Sequence, residues 1–192
     1  MNSKMITNLL TLLKKYSTGT KVLVWFLITQ VVYLTMLLVT IPKVLTRASE
    51  MKLLDMMPTG YDIDYVKMLF ENLGQAGREA YLYRQIPLDL IYPLLFSISF
   101  SLLLAYILKM ITKEGNMVFY LCLLPITAGF FDYLENFGII RMLVTYPDIS
   151  IFVAKTTNVF SILKSMFTTL YFIALLVSIL ILLLKRIKIK RK

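Results

Sequence analysis

Four long apolar stretches limit what this chain can fold into. They lie near residues 21–41, 86–108, 117–140 and 160–184, and each is long enough to cross roughly 30 Å of hydrocarbon as a helix. Apolar residues make up 58% of the sequence, and the mean hydropathy of +0.75 is typical of an integral membrane protein. The sequence therefore predicts an all-α fold, an antiparallel four-helix bundle that occupies residues 1–192 as one membrane domain.

The net charge of +10 is concentrated at the two ends of the chain. Four spans place both ends on one side of the membrane, and the positive-inside rule makes that side the cytoplasm. We expect the basic ends to anchor this topology and to attract anionic lipid, and we expect no nucleic acid partner. The short loop 109–116, with Lys109, Lys113 and Glu114, lies on the same side. The basic ends consist of Lys4, Lys14, Lys15 and Lys21 before the first span, and Lys185, Arg186, Lys188, Lys190, Arg191 and Lys192 after the last.

The segment between the first and second spans is predicted to lie outside the cytoplasm. Residues 42–85 carry six basic and six acidic residues, and this balanced charge suits an external loop. Apolar residues recur at helical spacing from Tyr65 to Leu73, which predicts an amphipathic external helix within 61–84. The second span is expected to begin beside Pro87, because the first helical turn tolerates proline.

The N-terminal residues also show a helical pattern. Met5, Leu9 and Leu13 recur at near-helical spacing ahead of Lys14 and Lys15. This pattern predicts a short helix on the cytoplasmic interface of the membrane. A disordered start is the alternative.

Ionisable residues inside the predicted spans are the main indication of function. Asp132, Glu135 and Asn136 are spaced by three and four residues, so they project from one face of the third span. Charged groups at such a depth are expensive and usually functional. At 1.5 Å per helical residue, Asp89 of the second span, which shares its face with Tyr92, lies at the same level in the outer leaflet. We call this level the polar slab. The cations that can reach it are Arg78, Arg84, Arg141 and Lys164.

Two interpretations of the polar slab remain open. In the first, it is a pocket, open to the outer leaflet, that binds a lipid or small amphiphile. An arginine would then face a phosphate or carboxylate, while Asp132 and Glu135 would face a hydroxyl, an amine or a proton. In the second, the charges form a buried network that only locks the helices of a structural or assembly protein. Under either interpretation, Asp132 or Glu135 needs a cationic partner. We expect that partner to be Arg78. Its competitors are Arg84, Arg141 and Lys164.

A lipid-modifying enzyme is a third interpretation. Paired carboxylates can act as acid and base when their surroundings separate their pKa values. However, the sequence has no histidine and a single cysteine, Cys122, and it contains no phosphate-binding loop or evident nucleophile. We therefore expect neither catalysis nor a cofactor. Oxygen ligands could hold a hard cation, although we predict no metal. The ligands in that case would be Asp89, Asp132, Glu135 and Asn136.

Three motifs in residues 70–140 resemble those of an uncharacterised family of small four-span bacterial membrane proteins. The motifs are Gly-x-x-Gly-Arg-x-x-Tyr at 74–81, Asp-x-x-Tyr-Pro at 89–93 and Asp-x-x-Glu-Asn at 132–136. The resemblance implies location in a bacterial plasma membrane and brings no activity with it. It also implies one shared site, made of Arg78, Tyr81, Asp89, Pro93, Asp132, Glu135 and Asn136.

The plan of four spans with a long, structured first external loop is similar to the emopamil-binding and sigma-2-receptor group of sterol-handling proteins. The motifs of that group do not match, and the histidine of its isomerase members is missing here. Only the architecture therefore carries over. The partners that we expect are a membrane lipid or small amphiphile, with a second copy of the chain or another membrane protein as further candidates.

Overall fold

A computed structural model describes residues 3–112 and 117–190 of the chain. All the regular elements in these ranges are helical, so the predicted all-α class is confirmed. Lys113 and Glu114 of the short loop, and Arg191 and Lys192 of the C-terminal tail, lie outside the described residues. The α-helices are α1 (Ser3–Tyr16), α2 (Gly19–Thr35), α3 (Ile41–Val44), α4 (Ile63–Ala80), α5 (Ile86–Ile111), α6 (Leu124–Thr145) and α7 (Ile151–Lys190).

Among the described residues, four continuous helical units are long and apolar enough to cross a membrane, which makes the chain a multi-pass membrane protein. Each exceeds the apolar stretch from which it was predicted, since the polar residues that flank each stretch continue the same helical unit. The second extends furthest, because the amphipathic helix α4 is joined to α5 without a loop. The units are Gly19–Arg47, Ile63–Ile111, Met117–Thr145 and Ile151–Lys188.

Two π-helical segments join helices where a loop or break would otherwise lie. Met36–Thr40 connects α2 to α3, and Tyr81–Gln85 connects α4 to α5. Each ends two residues before a proline, Pro42 or Pro87. Proline has no N–H to donate, and its ring clashes with the carbonyl four residues earlier. A locally wider helix accommodates this defect, so both units continue past the proline.

Helix α4 bends at Gly74, whose φ of 63° favours glycine. The bend leaves carbonyl groups of the preceding turn without helical N–H partners. Arg78 fills one of these places, because its Nη1 donates to the carbonyl oxygen of Phe70 at 2.7 Å. Its guanidinium also lies 4.1 Å from the centre of the Tyr146 ring. Arg78 thus stabilises the bend in α4.

Helix α5 is the centre of the bundle. It packs against α2, α6 and α7, and α6 also packs along α7. Glycines allow these close contacts. A Cβ atom at Gly129 would lie 2.9 Å from the carbonyl oxygen of Pro93, and one at Gly138 would overlap the side chain of Thr157. Small residues let helices approach closely where lipid supplies no hydrophobic driving force between them.

The apolar core has two parts. At the end of the bundle that carries residues 48–62, here called the loop end, Leu53 and Leu54 are completely buried against α4 and α6. The opposite end, here called the terminal end, has a second core in which Leu10 of α1 packs with residues of α5. The loop before α4 is therefore a packed cap on the bundle.

Helix α1 is fixed to the terminal end by its last turn. Lys109 Nζ donates to the carbonyl oxygens of Lys14 and Ser17 at 3.1 and 3.3 Å. The ammonium group of Lys14 lies 4.2 Å from the centre of the Phe119 ring. These contacts satisfy carbonyl groups that a helix C-terminus leaves free. The predicted N-terminal helix is confirmed, and the disordered alternative is wrong.

Candidate functional site

Asp89, Asp132 and Lys164 of the polar slab line a cavity of about 530 Å³ between α2 and α7. Both helices pack against α5 but make little contact with one another, and the cavity occupies the gap between them. Tyr33, Leu37 and Phe172 line the cavity and are also exposed on the outside of the bundle. The cavity therefore opens sideways, towards the surface that lipid would cover.

The cavity is polar at the loop end and aromatic towards the middle of the bundle. Along α5 its lining runs from Asp89 to Phe100, a distance of about 16 Å at the helical rise. The loop end is lined by Asp55, Asp89, Tyr92, Asp132 and Lys164, together with the apolar Met36, Ile41 and Met56. The deeper part is lined by Phe96, Phe100, Ala128, Thr168 and Phe172 together with Gln30.

Lys164 of α7 is the cation of the site. Its Nζ forms an ion pair with Glu135 and lies 3.4 Å from Asp132 Oδ1. It also donates to the backbone carbonyl of Asp55 at 3.3 Å. The prediction of Arg78 as the partner is wrong, and its competitor Lys164 takes the role. The reason is that α7 packs along α6 and brings Lys164 beside two carboxylates spaced by one helical turn.

Glu135 is also held by a serine of the same helix as Lys164. Ser161 Oγ donates to Glu135 Oε1 at 2.6 Å and lies 3.4 Å from the Tyr61 hydroxyl. Burial raises the pKa of the Tyr61 hydroxyl, so Tyr61 remains a neutral phenol. The backbone N–H of Tyr61 donates to Asn158 Oδ1 at 2.8 Å. The loop, α6 and α7 thus share one hydrogen-bond network.

A proline explains the position of Asn136. In a regular helix the N–H of residue 93 would bond to the carbonyl of Asp89, but Pro93 has no N–H. Asn136 Nδ2 takes its place and donates to the Asp89 carbonyl oxygen at 2.9 Å. The side-chain amide of Asn136 in α6 therefore satisfies a backbone carbonyl that α5 cannot satisfy itself.

Two further side-chain pairs border the site at the loop end. The Tyr81 hydroxyl donates to Asp55 Oδ1 at 2.7 Å, and Tyr81 is completely buried in the core of the loop end. The Thr40 hydroxyl donates to Gln85 Oε1, which joins the two π-helical segments to each other. Helical π-bulges are frequent at functional sites, and one of these segments supplies Leu37 to the cavity.

Some buried polar side-chain atoms have no hydrogen-bond partner among the described residues, and one of them belongs to a residue that lines the cavity. The carboxylate oxygen Asp89 Oδ2 is one, although the Asp89 residue is only 4% exposed. Buried polar atoms in folded proteins are nearly always paired, so the unpaired oxygen of Asp89 is an unusual feature of a residue in the cavity lining. The other unpaired atoms are Gln85 Nε2, Ser99 Oγ and Asn136 Oδ1.

Acceptors outnumber cations at this site. Lys164 is the single ammonium that lines the cavity, and it faces several carboxylates. Within residues 3–112 and 117–190, however, no group of three or more His, Cys, Asp or Glu side chains is arranged to hold a metal ion. The acceptor oxygens of the carboxylates match an organic donor, such as a hydroxyl or an amine. The carboxylates concerned are Asp55, Asp89, Asp132 and Glu135.

The predicted arginines lie apart from the cavity. Arg78 is engaged with Phe70 and Tyr146 at the bend of α4. Arg84 and Arg141 have exposed side chains on the outside of the bundle. Of the residues that the family resemblance assigns to one site, Arg78 is thus separated from the others. The predicted residues that the structure brings together are Tyr81, Asp89, Tyr92, Asp132, Glu135, Asn136 and Lys164.

Three residues that join this network were not predicted from the sequence. Asp55 and Tyr61 belong to the loop that caps the bundle, where no regular pattern indicates which side chains turn inwards. Ser161 lies three residues before Lys164 and therefore on the same helical face. That spacing is the one signal that could have found Ser161 in advance.

No protein-family model, no curated protein and no solved structure matches this chain. The geometry of the cavity and the chemistry of its lining therefore provide the basis for a functional assignment.

Proposed function

We propose that this membrane protein binds a lipid or small amphiphile in the cavity between α2 and α7. The head group contacts Asp89 at the loop end, and the apolar chain follows the aromatic lining towards the middle of the bundle. The observation that carries this proposal is Asp89, a residue that lines the cavity and whose buried oxygen Oδ2 has no hydrogen-bond partner among the described residues. A ligand that donates a hydrogen bond would satisfy it.

The order of the lining supports an amphiphile over a fully polar solute. Carboxylates and Lys164 occupy one end of the cavity, whereas Phe96, Phe100 and Phe172 occupy the other. Such a gradient matches a molecule with one polar end and one apolar end. The sideways opening supports a ligand that enters from the bilayer.

The composition of the polar end also favours certain head groups. None of Arg78, Arg84 and Arg141 lines the cavity. A phosphate or carboxylate head group would therefore meet none of these arginines there. Asp89 is a hydrogen-bond acceptor when ionised. A hydroxyl or amine head group is therefore the better match.

A structural role is the second candidate, and the Lys164 contacts favour it. One ammonium joins Asp132, Glu135 and the backbone of Asp55, so it ties α7 to α6 and to the capping loop. A network of this kind can serve only to fix the packing of helices. It does not use Asp89 Oδ2, which is why a change at Asp89 separates the two candidates.

Native mass spectrometry of the protein purified in a mild detergent tests the proposal. We expect an amphiphile to copurify with the wild type and to be lost from Asp89→Asn. The matched control is Asp64→Asn, which removes one exposed carboxylate from α4 and should retain the ligand. If no molecule copurifies with the wild type, or if both variants retain it equally, the binding function is refuted and the structural role remains.

We further propose that both termini lie in the cytoplasm and the capping loop outside, as the charge asymmetry indicates. Single cysteines introduced by Thr59→Cys or Asp148→Cys test this, since both positions are exposed at the loop end and the native Cys122 is buried. A membrane-impermeant thiol reagent added to intact cells should label both. Labelling only after the cells are opened would reverse the orientation.

A further inference from the structure

We propose that a second site, a groove at the terminal end, binds one anionic phospholipid. The head-group phosphate contacts Lys15 and Lys21, and an acyl chain lies between α1, α2 and α5. The mouth of this groove is at the opposite end of the bundle from Asp89, and the groove shares no lining residue with the cavity. The proposal therefore does not depend on the function proposed above.

The groove is an apolar slot of about 630 Å³. Leu13 of α1 and Trp25 of α2 form its two sides, and residues of α5 form its floor. The lining of α5 extends from Leu94 to Leu102, which is about 12 Å at the helical rise. A slot of this shape in a membrane-spanning bundle accommodates part of an acyl chain.

The mouth of the groove is basic. Tyr16 and Lys21 line it, and the Lys21 ammonium lies 4.5 Å from the centre of the Tyr16 ring. The Lys15 ammonium lies 5.7 Å from the same ring. The first acidic residue of the chain is Glu50, so α1 and α2 place two ammonium groups beside one tyrosine ring without a nearby acid in sequence. An anionic head group supplies the missing charge.

Lys15 and Lys21 are the cations beside the Tyr16 ring at the mouth of the groove, and three other cations at this end are engaged elsewhere. Lys14 lies over the Phe119 ring, while Lys109 and Lys185 donate to backbone carbonyls that end neighbouring helices. Among the described residues, neither Lys15 nor Lys21 forms an ion pair with a carboxylate. Charge and apolar shape thus coincide at one place, as a phospholipid requires.

Native mass spectrometry with two lipids of identical acyl chains tests the site. Detergent-purified protein is titrated with dioleoyl phosphatidylglycerol and, separately, with dioleoyl phosphatidylcholine. We expect one phosphatidylglycerol to bind more tightly than phosphatidylcholine. The double variant Lys15→Gln/Lys21→Gln should weaken phosphatidylglycerol binding by about 30-fold, as expected for two basic groups at a lipid head group, with little effect on phosphatidylcholine.

The matched control is Lys4→Gln/Lys188→Gln, which removes the same charge from exposed positions at the same end and should preserve the preference. An equal loss in this control would show diffuse attraction and overturn the proposal, as would equal affinity of the wild type for both lipids. Millimolar glycerol 3-phosphate should not displace the bound lipid, because the groove recognises the chain as well as the phosphate. Displacement would identify a free-phosphate site and refute the lipid assignment.

Discussion

The hydrogen bond between Asn136 and the carbonyl of Asp89 makes a quantitative prediction. Asn136→Ala removes the donor that replaces the missing N–H of Pro93. The buried carbonyl then has no partner in wild-type α5. If residue 93 is alanine, however, its own N–H can bond to that carbonyl, so the loss of Asn136 should matter less. The two changes should therefore be coupled.

The expected size of this coupling follows from the burial of the pair. Asn136 is completely buried and Asp89 is 4% exposed, and an unsatisfied buried acceptor costs about 1–3 kcal/mol. Hydrogen bonds between membrane helices are weaker on average, about 0.6 kcal/mol, because the unfolded state in detergent also finds partners. We expect Asn136→Ala to lower the free energy of unfolding by about 1 kcal/mol more in the wild type, which has Pro93, than in the Pro93→Ala background.

A double-mutant cycle measures this difference directly. The wild type, Asn136→Ala, Pro93→Ala and the double variant are unfolded by titration with a denaturing detergent, and helix content is followed by circular dichroism. The cavity left by the truncated side chain is common to both backgrounds, so it cancels from the interaction energy.

Asn72→Ala is the matched control, because Asn72 Nδ2 also donates to a backbone carbonyl, that of Met68, but on the exposed face of α4. We expect it to change stability by less than about 0.5 kcal/mol. If the free-energy changes of Asn136→Ala and Pro93→Ala are additive within about 0.3–0.5 kcal/mol, the proposed replacement of the proline N–H by the asparagine amide is wrong.

Three further predictions concern the rest of the bundle. Lys164→Met should lower the free energy of unfolding by about 3–5 kcal/mol because it leaves buried carboxylates uncompensated. Adding Glu135→Gln should restore part of the loss. If thermal denaturation in detergent shows no such recovery, the ion pair between Lys164 and Glu135 is contradicted. Gly129→Val should lower the denaturation midpoint because its side chain would meet α5, whereas Gly19→Ala, which has ordinary contacts, should not. Arg78→Gln should destabilise the bend of α4, but the amphiphile should still copurify with this variant in native mass spectra. Loss of the ligand would show that Arg78 contributes to its binding.

The polar slab illustrates how far sequence reasoning reaches. Helical spacing places Asp132, Glu135 and Asn136 on one face, and the rise per residue places Asp89 at their level. Both arguments use only the geometry of single helices. Which cation meets the carboxylates depends instead on how α7 is rotated against α6, and this is why Lys164 rather than Arg78 is found there.

The sequence by itself determined the all-α class, the number of spans and the residues that bury charge, because apolar length and helical periodicity are local properties of the chain. Only the tertiary structure decided that α2 and α7 leave a cavity between them, that the capping loop contributes Asp55, and that Asn136 serves the backbone of α5. These features depend on contacts between residues far apart in the chain, and no local pattern encodes which helices remain out of contact.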